Sequence, residues 1–282
     1  MATAAHSPDR AEVVSAIREL VRLFDKRNLL TWACALAFQV VKAIVPFLLF
    51  GLALLGFLDL QSSWDGLAKQ IRPNLSAPAF QVLQTTAKEV LTTKQIFWVT
   101  GGLALAIWEM SGAIRAIMGG LAQIYEIQDR RPWKERMRTS ILLAIAVSAL
   151  ILLAIAVVWL SPLLYGDAGQ PLGALLFLVR WIIGGCLLGL AVGLTVRYAV
   201  DAEQPAGWVS AGTAIVVVAW AVASILFGAY VRWVASYGSV FGGLATIFVL
   251  FVYIYLSSIV FFAGAQLDAI IRRRVEGNPQ GN

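Results

Sequence analysis

Apolar and polar positions along this chain separate into long blocks. Stretches without a formal charge recur at 139–166, 169–179, 181–196, 204–231 and 233–267. An uncharged apolar run of about 18 residues or more can cross the hydrocarbon of a bilayer as a helix, and only the second of these is short. Together with the Gly, Pro and charge punctuation between them, the blocks predict spans near 31–58, 96–120, 139–162, 172–197, 208–231 and 241–269. The expected fold is all-α: a single polytopic membrane domain over 1–282 with six transmembrane helices.

Two further stretches are amphipathic. From Ser7 and Pro8, a cap and first helical residue, Val13, Val14, Ile17, Leu20, Val21 and Phe24 recur at helical spacing opposite Arg10, Arg18, Glu19, Arg22 and Lys26. This predicts an interfacial helix over 7–27. The loop 59–95 carries SWDGLAKQI, with Trp64, Leu67 and Ile71 on one face, and SAPAFQVLQTTAKEVL, with Phe80, Leu83, Ala87 and Val90 on one face. Its helices either form a lid or vestibule or rest on the outer membrane surface.

Composition agrees: 60% of the residues are hydrophobic and 13% charged, against roughly 25% charged in a soluble domain. The start, MATAAHSPDRAEVV, lacks the basic-then-apolar order of a signal peptide, so the first span is expected to remain as an anchor. Basic residues fix an orientation, since loops rich in them stay in the cytoplasm. Arg10, Arg18, Arg22, Lys26 and Arg27 precede the first span; Arg130, Arg131, Lys134, Arg136 and Arg138 lie between the second and third; Arg272, Arg273 and Arg274 open the tail 270–282. Both termini are thus expected to be cytoplasmic, and the loop 59–95 periplasmic. The net charge of +6 is accounted for by these rims and by anionic lipid headgroups, so no nucleic-acid partner is expected. Membrane lipids are the expected partners.

A few ionisable residues fall inside the spans: Lys42, Glu109, Arg115, Arg180 and, at the end of the last, Asp268. Each is costly in hydrocarbon and seeks a partner, a protein interior or water. Lys42 and Glu109 each lie 11 residues from the cytoplasmic end of their span, a depth of about 17 Å at 1.5 Å per residue, so they can pair. Arg115 and Arg180 lie nearer the rims, where they either snorkel or face an anionic ligand such as a lipid phosphate. Pro46 cannot donate to the carbonyl of Lys42, which places a free acceptor and a kink beside that charge, for a structural or a transport role. Asp268 precedes Arg272 by four positions and is expected to pair with it at the rim. Gly185, Gly189 and Gly193 form a small-residue stripe, expected to pack helices within the chain, with a homo-oligomer contact as the alternative.

Catalytic equipment is sparse. His6 is the only histidine, and no GxxxxGK[ST] loop occurs, so neither a His-based triad nor a nucleotide-driven pump is expected. Glu126/Asp129 and Asp201/Glu203 read as solvated loop charges, and Cys34 and Cys186 as packing residues in spans. No enzyme activity, cofactor or metal is expected.

Three stretches, in order, resemble the YihY/virulence factor BrkB family of bacterial inner-membrane proteins. LTWACALAFQVVKAIVPFLLFGLALLG is similar to the family's first span, with Pro46 nine residues after Ala37. SGAIRAIMGGLAQIYEIQDRRPWKERM is similar to its Ser-Gly, Arg and Arg-Arg signature at Ser111, Gly112, Arg115, Arg130 and Arg131. YGSVFGGLATIFVLFVYIYLSSIVFFAGAQLDAII is similar to its closing span, with Gly264 and Ala265. The departures are Ala43 where Ser is usual, Gln266 where Glu is usual and Asp268 where Asn is common, so a role for the family's final-span carboxylate does not carry over. The resemblance implies six spans, the bacterial inner membrane and a cell-envelope role. Older members carry a ribonuclease label that no plausible nuclease centre in this sequence supports. The reading that results is a protein that transports or flips an anionic amphiphile such as a lipid, through an interior lined by the first, second and fourth spans. A non-transporting envelope scaffold is the alternative.

Overall fold

The computed structural model describes residues 10–57, 77–92, 96–165, 170–200, 211–234 and 238–276, with single positions between 64 and 72. Among the described residues there is no strand. The helices are α1 (Arg10–Lys26), α2 (Leu29–Phe57), α3 (Ala77–Thr92), α4 (Ile96–Tyr125), α5 (Trp133–Tyr165), α6 (Gln170–Ala199), α7 (Ala211–Val234) and α8 (Gly238–Glu276). Ser7, Pro8 and the loop pair Asp201/Glu203 lie outside the described residues.

Two left-handed residues shape the end of the bundle where α1 lies. Asn28 (φ 51°) ends α1, and its carbonyl then accepts from Thr31 and Trp32 to start α2. Asparagine tolerates this conformation well. Glu126 (φ 57°) ends α4, with the Ile127 N–H donating to the Ala122 carbonyl at 3.0 Å, the closure usually built on glycine.

Four helical segments are long and apolar enough to cross a membrane: Leu29–Leu54, Trp133–Val157, Leu175–Ala199 and Ile247–Ile270. The described apolar part of α7, Val216–Tyr230, is shorter. Helix α4, where a span was expected at 96–120, has 30 residues, but Glu109, Arg115 and its glycines lower its hydropathy and it is not among the four. The chain is thus an all-helical, polytopic membrane protein. The tail expected from 270 is still helical to Glu276, since AIIRRRVE contains nothing that breaks a helix.

Consecutive helices are neighbours, α2 against α4, α4 against α5, α5 against α6, α6 against α7 and α7 against α8; α8 returns to α2 and closes a ring. Between α7 and α8 the Trp220 Nε1–H donates to Ser257 Oγ at 3.1 Å, and Ser224 Oγ lies 2.9 Å from the Tyr253 hydroxyl. The main core sits at the α1 end. Leu29, Ala33 and Leu36 of α2 meet Ile114, Met118 and Leu121 of α4, Leu143 and Val147 of α5, Ala191 and Ala199 of α6, and Phe262 and Ala265 of α8.

The other half is built differently. Between 175 and 190 in α6, 217 and 230 in α7, and 247 and 257 in α8, no described side chain is buried. A helix packed into a bundle shows one buried stripe per 3.6-residue repeat, so these helices stand apart there. The exception is a patch where Phe80, Leu83, Ala87 and Val90 of α3, with Trp64 and Ala68, cover Leu52 and Ala53 of α2. The face expected for α3 is therefore seated on α2, while Leu67 and Ile71 lie outside the described residues.

Close helix approach occurs elsewhere than the Gly185, Gly189 and Gly193 stripe. A Cβ on Gly185 would meet nothing within 4 Å, and one on Gly189 only Val217 Cγ2 at 4.0 Å. The tight positions are Gly112 and Gly119 of α4 against α2, Gly120 of α4 against Phe262, and Gly264 of α8 against Val216. Spacing alone does not distinguish a stripe turned to a helix from one turned to open space. Cys34 and Cys186, expected as packing residues, are both exposed.

Candidate functional site

The ring brings Lys42 and Glu109 together. Lys42 Nζ lies 2.9 Å from Glu109 Oε2, with the lysine side chain 42% exposed and the glutamate 20%. The same ammonium lies 3.5 Å from Gln39 Oε1 and 5.6 Å from the centre of the Phe38 ring. Gly112 makes room for this group: a Cβ there would lie 2.9 Å from Gln39 Oε1. One turn on, α2 runs continuously through Pro46, which has no N–H to offer the Lys42 carbonyl.

Arg115 is held differently. Its Nη1 donates to Ser111 Oγ at 2.8 Å, Met137 Sδ at 3.2 Å and Ser140 Oγ at 3.3 Å. Both serines are fully buried and give their own protons to the Trp108 and Met137 carbonyls, at 2.7 and 2.8 Å. Their lone pairs are thereby left for the arginine. Trp108 flanks the guanidinium, its ring centre 5.7 Å away. Every partner of Arg115 is neutral, and among the described residues it has no ion pair.

Arg180 stands in the loosely built half of α6. Eleven residues separate it from buried Ala191, a rotation of about 20° from whole turns, so it belongs to the stripe that faces the bundle. Its Nε is buried with no hydrogen-bond partner, and its guanidinium lies 4.5 Å from the Phe177 ring centre. The structure does not bring Arg180 into contact with Lys42, Glu109 or Arg115. Measured along their helices from the α1 end, the cations form levels: Arg115 at about 15 Å, Lys42 at about 20 Å and Arg180 at about 28 Å.

Two polar nodes that sequence reasoning missed close the α1 end. Arg27, counted as a rim charge, is buried and donates to Gln266 Oε1 and to Glu126 Oε1. It joins the α1–α2 junction to α8 and to the end of α4. In the second node Asp129 takes Arg131 at 2.9 and 3.3 Å, and Arg131 donates onward to the Tyr198 and Ala199 carbonyls at 3.4 and 2.8 Å. That guanidinium satisfies carbonyls at the end of α6 that lack helical donors. Glu126 and Asp129, expected as solvated loop charges, are therefore members of tertiary nodes. Asp268 is buried rather than at the rim; the side chain of Arg272 lies outside the described residues. The local signal for the first node was a glutamate where a helix end asks for glycine, a broken local rule that marks a tertiary partner.

Burial acts to raise the Asp129 pKa, but its bonds to Arg131 and the charges of Arg131 and Arg136 outweigh that and hold it below the usual carboxylate range. A depressed carboxylate stabilises the fold at all pH values above its unfolded pKa, about 3.9, and that contribution is lost as pH falls through the folded value. Thermal melts should therefore show no loss from this node between neutral pH and about pH 4, then a decline below it. The variant Asp129→Asn, less stable at neutral pH, should show a shallower decline. Equal acid slopes in both proteins would contradict this account.

Among the described residues no group of three or more His, Cys, Asp or Glu is placed to hold a metal ion. A family model described as virulence factor BrkB matches residues 20–282. The chain is also similar to the ribonuclease-like protein YfkH of Bacillus subtilis (strain 168), 26% identical over 267 residues that cover 93% of this chain and 96% of that one. No solved structure matches.

Proposed function

The chain belongs to the virulence factor BrkB family, and from that premise we propose that it transports or flips an anionic amphiphile such as a lipid across the bacterial inner membrane. In this reading α2, α4, α5, α6, α7 and α8 are six spans and both termini are cytoplasmic, so the packed α1 end faces the cytoplasm. The loosely built half, with α3, faces the periplasm. The protein is not an enzyme, and the ribonuclease-like name of its Bacillus relative is not carried over.

The observation that carries this reading is Arg180, a cation on the bundle-facing stripe of α6 with a buried Nε lacking a partner, where the helices around it bury nothing. An unpaired guanidinium in an apolar setting is costly unless an anion visits it. Below it the Lys42–Glu109 pair is already neutral, which suits a level that opens and closes as a headgroup passes. Arg115, bonded to neutral groups only, is assigned with Arg180 to anionic headgroups.

In liposomes holding the purified protein, transfer of a fluorescent phosphatidylglycerol between leaflets should be measurable. Arg180→Ala should slow it about tenfold or more, the loss expected for a hydrogen bond to a charged group, and Arg180→Lys less. If folded Arg180→Ala moves the lipid at the wild-type rate, the path does not run past this residue. If the wild type moves none, the scaffold reading takes its place.

A further inference from the structure

We propose that Arg115 and Arg136 together form a seat for one phosphate group, carried on a lipid headgroup or free, at the α1 end of the bundle between α4 and α5. The inference rests on the assignment of Arg115 to headgroups and does not require transport.

The carboxylates around these two arginines are committed elsewhere. Glu109 is 2.9 Å from Lys42, and Glu126 is bonded to Arg27. Asp129 uses both oxygens on Arg131, and its Oδ2 stands 3.6 Å from Arg136 Nε, beyond hydrogen-bond reach. That Nε is buried and lacks a partner. Arg130, Lys134 and Arg138 add positive charge nearby in sequence.

The donor geometry is equally specific. All three bonds of Arg115 use Nη1, so Nη2 and Nε, the other edge of the fork, make none. That edge is the one a phosphate takes through two parallel bonds. Arg136 is near enough to Arg115 for the two cations to repel each other, which a bound dianion or monoanion relieves. The serines that fix Arg115 have spent their protons on helix carbonyls, so selection falls to the guanidinium charges. Access from outside is open: the Arg136 side chain is 38% exposed, and Trp108 and Trp133, both exposed, flank the position in the manner of aromatic residues at headgroup level.

Native mass spectrometry and thermal shift on the delipidated full-length protein in detergent provide the test. Phosphatidylglycerol should be retained and raise the melting temperature, while diacylglycerol, which lacks the phosphate, should do neither. Arg115→Gln and Arg136→Gln should each weaken retention at least tenfold, and Arg115→Lys, which keeps the charge but loses the fork, should weaken it less. Should Arg115→Gln fail to fold, Arg136→Gln, at a half-exposed position in the first turn of α5, carries the test alone. Inorganic phosphate that protects as well as phosphatidylglycerol would support the seat with a free anion as its source. Retention of phosphatidylglycerol unchanged in folded Arg136→Gln, or of diacylglycerol equally well, would overturn it. A protein that retains phosphatidylglycerol through these arginines yet moves no lipid keeps the seat and loses the transport reading; one that moves lipid without such retention does the reverse.

Discussion

Arg27→Ala is expected to destabilise the detergent-solubilised protein by about 3 kcal/mol, more than removal of any exposed rim charge. Arg27 is buried, and its partner Gln266 is 1% exposed. Truncation leaves the Gln266 carbonyl without its donor and opens a cavity where the guanidinium lay. The other partner contributes less: Glu126 is 62% exposed, so Glu126→Gln should cost no more than about 1 kcal/mol. A double variant, Arg27→Met with Gln266→Leu, replaces the polar node by apolar volume and should recover much of the loss. Unfolding midpoints in mixed micelles measure all three. A single Arg27→Ala no less stable than Glu126→Gln would mean that the node is incidental to the fold.

Gly120→Ala should cost about 1 to 3 kcal/mol through overpacking. Its new Cβ would fall 2.3 Å from Cε1 and 2.6 Å from Cζ of Phe262. That ring is fully buried and set edge-on to Phe261 at 5.3 Å between centres, so neither it nor the α4–α8 crossing can give way cheaply. Gly119→Ala makes an equally short approach, 2.2 Å, to the outer ring atoms of Trp32, but Trp32 is only half-buried and can swing aside at less cost. Gly185→Ala, with nothing within 4 Å, should be neutral or slightly stabilising, because alanine is the better helix former. The order Gly120 above Gly119 above Gly185 in thermal midpoint loss is the measurable result, and equal losses at Gly120 and Gly185 would refute this account of the helix contacts.

What could be read from the sequence follows from what lipid does to sequence patterns. The helices themselves were legible because charge is excluded from hydrocarbon, which leaves blocks too long to be anything else. Which face of each helix meets protein was not, since lipid-facing and protein-facing positions are both apolar. The glycine stripe in α6 shows this, having the same spacing as Gly112 and Gly119 in α4 and none of their contacts. Lys42 and Glu109 could be matched because both are misfits at the same depth, and depth is a one-dimensional quantity. The Arg27 node could not: its partners lie 99 and 239 residues away, at a rim where basic residues are expected for topology alone. Arg180 was placed nearer the rim by counting, whereas its orientation toward the bundle needed the buried Ala191 as a reference.

The uneven burial along the bundle axis bears on how the protein comes apart. Free energy holding helices together is concentrated at the α1 end, in the apolar core and the two arginine nodes, while most of the opposite half holds little beyond the α3 patch. Opening free energy follows such differences in local contact. The two halves are therefore separate cooperative units. Amide hydrogens of α6 and α7 near residues 175–190 and 217–230 exchange from a locally open state, and those around Arg27, Ile114 and Phe262 exchange only when the whole bundle unfolds.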